Sequence, residues 1–257
     1  MKKKTKIMGV LNITPDSFSD GGLYDNPEMA VKKLEAMLLA KPDIIDIGAV
    51  STRAYKDKTS FPSPKQELHR FKRILPSLAP ILNASKAQIS IDSFNPTTIE
   101  YLLDKFPVAI INDQSACSDL QMIDLVKNTK LKISIMHHLS IPADPSNIVP
   151  ESLNVVEVVK EWLLKKAEYL ISQGINQEQI ILDPGIGFGK NAAQSWQIIN
   201  EASAFTSLGY SVLYGHSRKS FLNLITDNSF TERDLETAIL SKYLADAGVY
   251  YIRVHDI

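Results

Sequence analysis

The stretch Gln88-Ile-Ser-Ile-Asp-Ser-Phe-Asn-Pro96 shows the unit from which this chain is built. Its first five residues form a short apolar run that ends in an aspartate, as a buried strand does where it reaches the surface. Asn-Pro then predicts the start of a helix, because asparagine caps helices and proline suits the first helical position. The same kind of run recurs along the chain, at residues 6–13, 43–48, 108–112, 132–137, 179–183, 211–215 and 249–255.

Amphipathic segments with helical spacing separate these runs, so strand and helix alternate through the sequence. Apolar strands with helices between them predict a parallel sheet covered by helices. Eight such units predict an α/β fold of the (β/α)8 barrel type, with an open doubly wound sheet as the structural alternative. The 257 residues fit one barrel domain covering 1–257. Because the sequence ends two residues after the last predicted strand, we expect the eighth covering helix not to be present in it.

The composition limits the classes of partner. A formal net charge of -1 argues against binding to nucleic acid, which needs clustered basic residues on one face. The apolar run that follows Lys6 is too short for a signal peptide or a membrane span. Cys117 is the only cysteine, so no intramolecular disulfide can form. These features predict a cytoplasmic protein with no membrane partner.

Almost every apolar run ends in a polar residue. In a barrel the carboxyl ends of the strands meet at one mouth, which is where barrel enzymes have their active sites. We therefore predict a site at this face, formed by Asn12, Asp46, Asp92, Asn112, His137, Asp183, His216 and His255. The pair His137-His138 lacks a third ligand at metal spacing, so we interpret it as structural rather than as a zinc site.

Two of these residues, Asp92 and Asp183, could bind a guanidine-like edge, meaning a ring N–H beside an exocyclic amino group, through paired acceptor oxygens. The alternative is that each carboxylate caps the next helix, although after Asp92 that role can pass to Asn95. The loop 183–190 is rich in glycine but is not a P-loop, because Lys190 is followed by asparagine. Its glycines would let a ligand approach the backbone, and a purely structural loop is equally compatible with them.

Cationic side chains accompany the last two runs. His216-Ser-Arg-Lys-Ser220, Arg253 and His255 could bind an anion near the place where barrels often hold phosphate. A solvated run of charges is the alternative. The long segments 12–22 and 51–60 predict loops that close over the site, or equally loops that only cover the surface.

These segments, in this order and spacing, resemble the dihydropteroate synthase family from Met8 to Asp256. The match rests on residues 8–22, 51–53, 91–93, 111–113, 183–190, 217–220 and 253–256. The resemblance implies a (β/α)8 barrel that condenses 6-hydroxymethyl-7,8-dihydropterin pyrophosphate with p-aminobenzoate to give 7,8-dihydropteroate in folate biosynthesis. It also implies a transferase that is a target of sulfonamides and that forms a homodimer.

Carried over position by position, the resemblance implies several groups of site residues. The pterin ring would be held by Asp92, Asn112, Asp183 and Lys219. The pyrophosphate would be held by Asn12, Arg253 and His255, with Mg2+ as cofactor bound through phosphate oxygens and Asn12. The p-aminobenzoate pocket would be bordered by Thr52, Arg53, Phe188 and Ser220. The residues implied in catalysis are Asp92, Asp183, Lys219, Arg53 and Asp16.

The sequence departs from the family pattern at three places. Ala54-Tyr55 stands where Pro-Gly is usual, His138 replaces a methionine, and Gln114-Ser115-Ala116 stands where Val-Ser-Gly is usual. The altered second loop leaves a non-catalytic pterin binder open as an alternative. A further alternative is a pterin barrel that presents methyltetrahydrofolate to a corrinoid methyltransferase, and such a protein needs no residues that bind pyrophosphate. Another is a phosphate-binding barrel isomerase.

Overall fold

Eight parallel strands close into a barrel in the order of the sequence. The structure is a computed structural model that describes residues 4–14, 26–51 and 62–257. The strands are β1 (Lys6–Asn12), β2 (Ile44–Gly48), β3 (Gln88–Asp92), β4 (Val108–Asp113), β5 (Lys132–Met136), β6 (Ile180–Asp183), β7 (Ser211–Tyr214) and β8 (Tyr251–Val254). The predicted barrel is therefore confirmed and the open sheet is excluded, while the predicted strand ends differ from the observed ones by at most two residues.

Helices lie between consecutive strands on the outside of the barrel. They are α1 (Pro27–Leu39), α2 (Pro64–Ala84), α3 (Pro96–Leu103), α4 (Leu120–Lys127), α5 (Val155–Ser172), α6 (Ala192–Asn200), α7 (Ala202–Thr206) and α8 (Asp234–Asp246). Short 3-10 helices occupy Gln177–Gln179, Ser220–Leu224 and Phe230–Glu232. None of these helices within the described residues is long and apolar enough to cross a membrane.

The helix start predicted at Asn95-Pro96 is confirmed by its cap, and α1 and α2 begin in the same way. The side chains of Asn26, Ser63 and Asn95 accept hydrogen bonds from backbone N–H groups of the first turn, and each is followed by proline. Because Asn95 caps α3, the carboxylate of Asp92 is not needed there. Glycine at a positive φ, as at Gly174 (φ 99°), follows the end of α5.

Successive residues of each strand point into and out of the barrel, and this separates two apolar clusters. The interior cluster forms the floor of the barrel and contains Met8, Ile44, Ile110, Ile181, Leu213 and Tyr251. Each of these side chains contributes roughly 1.5–3 kcal/mol through burial. The larger cluster fills the space between strands and helices. Toward the carboxyl ends the interior becomes polar, beginning with Asp46 and Ser90, which are paired in register on neighbouring strands.

After β8 the described residues 255–257 form no helix. Instead, Ile257 lies over the outer face of β1. A Cβ atom added to Gly9 would be 2.4 Å from Ile257 Cδ1 and 2.6 Å from Met37 Cε. The side chains that cover β1 therefore occupy the position where a larger residue 9 would project.

Candidate active site

The carboxyl ends of four strands bring the predicted acceptors together. Asn12 on β1 lies in register with Gly48, and Gly48 lies in register with Asp92. A Cβ atom on Gly48 would be 3.2 Å from Asp92 Cβ and 3.5 Å from Asn12 Oδ1. Glycine at this inward position therefore lets the two polar side chains flank one strand closely. Asn112 is the next residue around the barrel, in register with Asp92.

Arg253 projects from β8 across the interior and joins two carboxylates. Its Nε donates to Asp46 Oδ2 and its Nη2 donates to Asp92 Oδ2, both at 2.6 Å. Asn112 Nδ2 also donates to Asp46 Oδ2, at 3.1 Å. Asp46 is fully buried, so it needs such partners. Arg253, which the resemblance places on the pyrophosphate, is held here by the acids below the mouth.

Gln114 is the second neutral donor in this network. Its Nε2 donates to Asp92 Oδ1 at 2.7 Å, and both residues are buried. Asp92 thus accepts one hydrogen bond on each oxygen. Burial raises the pKa of Asp92 to about 7, against the opposing effect of the Arg253 charge and together with repulsion from Asp46.

Asp183 lies at the end of β6 beside a second cation. Its Oδ1 accepts from the Gly185 backbone N–H at 2.8 Å. Burial raises its pKa, and the nearby charge of Lys219 opposes that effect. Lys219 Nζ donates to the Ile186 carbonyl at 2.5 Å and lies 4.9 Å from the centre of the Phe188 ring. The sequence-predicted trio of Asp183, Lys219 and Phe188 is thereby brought together.

The remaining predicted residues have different positions. His255 Nδ1 lies 3.0 Å from Ser217 Oγ, and the His255 ring packs edge-on against Phe230. Ser220 is exposed at the start of a 3-10 helix. Asp16, Thr52 and Arg53 lie outside the described residues, as do most of the two predicted long loops.

Two histidines predicted at the mouth point elsewhere, because each lies one residue past an inward-facing position and so faces the helices. His137 Nδ1 lies 2.8 Å from Lys190 Nζ, and its ring packs against Trp162. His216 Nε2 lies 3.1 Å from the Thr237 carbonyl. The prediction that His137 and His216 belong to the site is wrong, whereas the structural interpretation of His137 agrees with these contacts.

Arg218 also differs from the expected anion-binding role. Its guanidinium makes two hydrogen bonds to Asp234, at 2.6 and 2.7 Å, and its side chain is nearly buried. This bidentate pair ties the segment after β7 to the start of α8. Of the cationic segment 216–220, Lys219 is the cation that lies beside the predicted site.

Three residues of this region make contacts that the sequence did not predict. Asp46 was predicted only as one of the polar residues at the strand ends. A charged residue at an inward strand position needs a buried partner of opposite charge, and for Asp46 that partner is Arg253. Gln114 is recognisable only as a departure from the family pattern. Lys190 donates to the Gly185 and Phe188 carbonyls at 3.0 and 2.8 Å and so clamps the glycine-rich loop.

Comparison with known proteins places this arrangement in a family. The model of the pterin binding enzyme family matches residues 8–255. A dihydropteroate synthase of Staphylococcus epidermidis is 37% identical, with 99% of this chain and 90% of that protein covered. A folate synthesis bifunctional protein of Chlamydia caviae is 34% identical over 98% of this chain and 56% of that protein. The chain thus spans about half the length of such bifunctional relatives.

Solved structures give the same result. The dihydropteroate synthase of Anaplasma phagocytophilum, crystallised with bound 6-hydroxymethylpterin-monophosphate, superposes with a TM-score of 0.87 at 35% identity and covers 99% of this chain and 94% of that one. The fold, the matched residues and the full-length relatives agree. This chain belongs to the pterin-binding enzyme family, and its relatives there include dihydropteroate synthases.

Proposed function

We propose that this protein is a dihydropteroate synthase, a transferase that condenses 6-hydroxymethyl-7,8-dihydropterin pyrophosphate with p-aminobenzoate to give 7,8-dihydropteroate and pyrophosphate. The observation that carries the proposal is the buried set of acceptors at the barrel mouth, Asp92, Asn112 and Asp183, beside the cations Lys219 and Arg253. The acceptors suit the N–H groups of a pterin ring, and the cations suit its carbonyl and its leaving pyrophosphate.

The reaction is a substitution at the pterin methylene carbon. The bond from that carbon to the pyrophosphate oxygen breaks, and the amine nitrogen of p-aminobenzoate forms the new bond and then loses a proton to solvent. Charge develops in opposite senses at the two ends of the breaking bond. Asp92 and Asp183 would stabilise positive charge on the ring, while Arg253 and His255 would stabilise the leaving group. The buried site excludes the water that would compete with the amine.

Mg2+ fits this donor set as a cation bound mainly by substrate. Within residues 4–14, 26–51 and 62–257 no three histidine, cysteine or acidic side chains are grouped as a metal site. The amide oxygen of Asn12, beside Gly48 at the strand end, is a hard ligand of the kind that supplements phosphate oxygens. When bound, Mg2+ would offset charge on the pyrophosphate. Asn12 would hold it, and Arg253 and His255 would orient the same phosphates.

The arylamine side of the site rests on fewer described residues. Phe188 and Ser220 would border the p-aminobenzoate pocket, together with Thr52 and Arg53, and Asp16 would complete it. We further propose that the protein is a cytoplasmic homodimer and that sulfonamides compete with p-aminobenzoate. These proposals rest on the family membership, and gel filtration and inhibition assays test the dimer and the competition.

The deciding experiment is pyrophosphate release from the pterin substrate with Mg2+, run with and without p-aminobenzoate, together with detection of dihydropteroate. Product that requires both substrates supports the proposal. Tight pterin binding without product would instead identify a non-catalytic binder and overturn it.

A further inference from the structure

Gln114 makes a direct contact with one of the acids assigned to the pterin. It is the first residue after β4, and its amide nitrogen lies 2.7 Å from Asp92 Oδ1. Both side chains are more than nine-tenths buried. A hydrogen bond to a charged acceptor at this depth is strong, because water does not compete for it.

The backbone that carries Gln114 is held in place on its far side. Asp113 points outward and accepts hydrogen bonds from the Ser115 N–H at 2.7 Å and the Cys117 N–H at 2.9 Å. Ala116 and Cys117 both adopt positive φ, at 54° and 55°, a conformation that needs such support. Asp113 therefore fixes the turn, and the turn directs Gln114 toward the barrel interior.

Gln114 and Arg253 approach Asp92 from different strands and use different oxygens. Arg253 takes Oδ2 and Gln114 takes Oδ1. A carboxylate has about four lone-pair sites, so two donors fix its orientation and leave capacity for ring N–H groups. A neutral amide achieves this without adding charge to the network of Asp46, Asp92 and Arg253.

We propose that Gln114 is a positioning residue that fixes the Asp92 carboxylate for the pterin ring. This inference rests on the proposed function, since it takes the pterin as the ligand of Asp92. It assigns a role to the residue that distinguishes this chain from the Val-Ser-Gly pattern of the family. Gln114 acts through Asp92, so its removal changes how that carboxylate binds rather than which groups react.

Within residues 4–14, 26–51 and 62–257, the charged groups that face Asp92 come from three other elements. Arg253 on β8 lowers the pKa of Asp92, while Asp46 on β2 and Glu67 on α2 raise it, and burial raises it most. The Gln114 hydrogen bond acts in the same direction as Arg253. Loss of that bond alone should therefore move the titration of Asp92 to higher pH.

The test compares Gln114→Met, which keeps the length of the side chain and removes the donor, with Gln114→Glu, which adds repulsion. The matched control is Gln121→Met, the same change at an exposed position on α4. Binding of 6-hydroxymethylpterin is measured by calorimetry from pH 5.5 to 9, and each Kd is divided by the wild-type value at the same pH. The ratio cancels any titration of the ligand itself.

We expect a ratio of about 10 for Gln114→Met at pH 6, because one hydrogen bond to a charged group contributes roughly 1.5–3 kcal/mol. The ratio should decrease as pH rises and Asp92 becomes ionised in both proteins. It should remain above 1 at pH 9, because the ionised carboxylate of the variant is no longer held in its orientation, and Gln114→Glu should show a larger ratio than Gln114→Met at every pH below 9. A ratio near 1 throughout, or one that reaches 1 at pH 9, overturns the inference, because the ionised carboxylate would then bind equally well without Gln114. Unfolding midpoints confirm that each variant is folded.

A second measurement separates this inference from the proposed function. The pKa of Asp92 is followed by NMR of aspartate labelled at the side-chain carboxyl carbon, in the ligand-free protein. A higher pKa in Gln114→Met supports the positioning role even if wild type fails to make dihydropteroate, which would overturn only the proposed function. An unchanged pKa of Asp92 in Gln114→Met, together with a wild type that makes product, overturns only the role of Gln114.

Discussion

Asp92 lies among charges of both signs, and the balance raises its pKa to about 7 because burial outweighs the attraction of Arg253. The protonated form loses one acceptor, so kcat/KM for the pterin substrate should decrease as pH falls through about 7, by about tenfold per pH unit well below it. The pH dependence of the stability has the opposite direction to that of kcat/KM. A carboxyl whose pKa is raised in the folded state favours folding at low pH, and this contribution is lost as pH rises through about 7. A kcat/KM that stays constant from pH 5 to 8 would contradict the assignment.

Lys219 touches both halves of the proposed site. It donates to the Ile186 carbonyl and lies over the Phe188 ring, and its charge opposes the burial that raises the pKa of Asp183. Lys219→Ala should weaken binding of 6-hydroxymethylpterin at least tenfold, since a hydrogen bond from a charged group contributes roughly 1.5–3 kcal/mol. The unfolding midpoint should change little. Lys242→Ala, at an exposed ion pair on α8, is the control. Unchanged turnover in Lys219→Ala would argue against the assigned ring site.

How far single residues could be predicted depends on which face of the strand they occupy. Asp92, Asp183 and Arg253 lie at inward positions, so the barrel brings them together as the sequence predicts. His137 and His216 each lie one residue past an inward-facing position, so their side chains face the helices instead. Since a shift of one residue reverses the face, a strand end read one residue too long moves a side chain out of the site.

At the scale of the element, the glycine-rich loop after β6 shows why its sequence was compatible with both a ligand-binding role and a purely structural role. Its glycines permit close approach: a Cβ atom on Gly185 would be 2.0 Å from the His137 carbonyl oxygen. That approach is made by the protein's own backbone. Lys190 then binds back onto Gly185, Phe188 and His137. The loop is thus structural at Gly185 and Lys190, and it presents Asp183 and Phe188 to the site.

Lys190→Met should therefore destabilise the protein through this loop. Two buried carbonyls would lose their donor, and each unsatisfied group costs about 1–3 kcal/mol, so the free energy of unfolding should decrease by roughly 2–6 kcal/mol. Urea unfolding measures this, with Lys165→Met on the exposed face of α5 as the control. Equal stability of Lys190→Met and wild type would show that the clamp contributes nothing. In the folded fraction we expect weaker pterin binding, because Asp183 starts the same loop.

The strands and helices themselves were predictable because their signals are local. Apolar runs and asparagine or serine caps act within a few residues of the chain. The Asn-Pro pair predicts the start of α3, and α1 and α2 begin at the same kind of cap followed by proline. The 3-10 helices at Ser220–Leu224 and Phe230–Glu232 were not predicted. Their positions depend on contacts distant in sequence, such as Trp196 Nε1 donating to the Phe221 carbonyl at 3.1 Å.

At the scale of the whole molecule, the barrel interior combines an apolar floor with a charged layer above it. Arg253 connects this layer, since it joins β8 to β2 and β3 through two buried carboxylates. Such a pair contributes little net stability compared with apolar packing, but removal of one partner leaves a buried charge without compensation. The barrel therefore depends on the same arginine that the proposed reaction uses.

Arg253→Met should reveal this dependence as a loss of stability that grows with pH. Near pH 8 it leaves Asp46 and Asp92 without their cation, and we expect the free energy of unfolding to decrease by roughly 3–5 kcal/mol. Near pH 5 the loss should be smaller, because Asp92, whose pKa is already raised to about 7 and rises further without Arg253, is then protonated. Arg218→Met is the matched control, since its partner Asp234 is 42% exposed and can be solvated. Urea unfolding of both variants at the two pH values measures the difference. If Arg253→Met were equally destabilised at pH 5 and pH 8, the buried carboxylates would not be the source of the loss, and packing of the guanidinium stem would have to account for it.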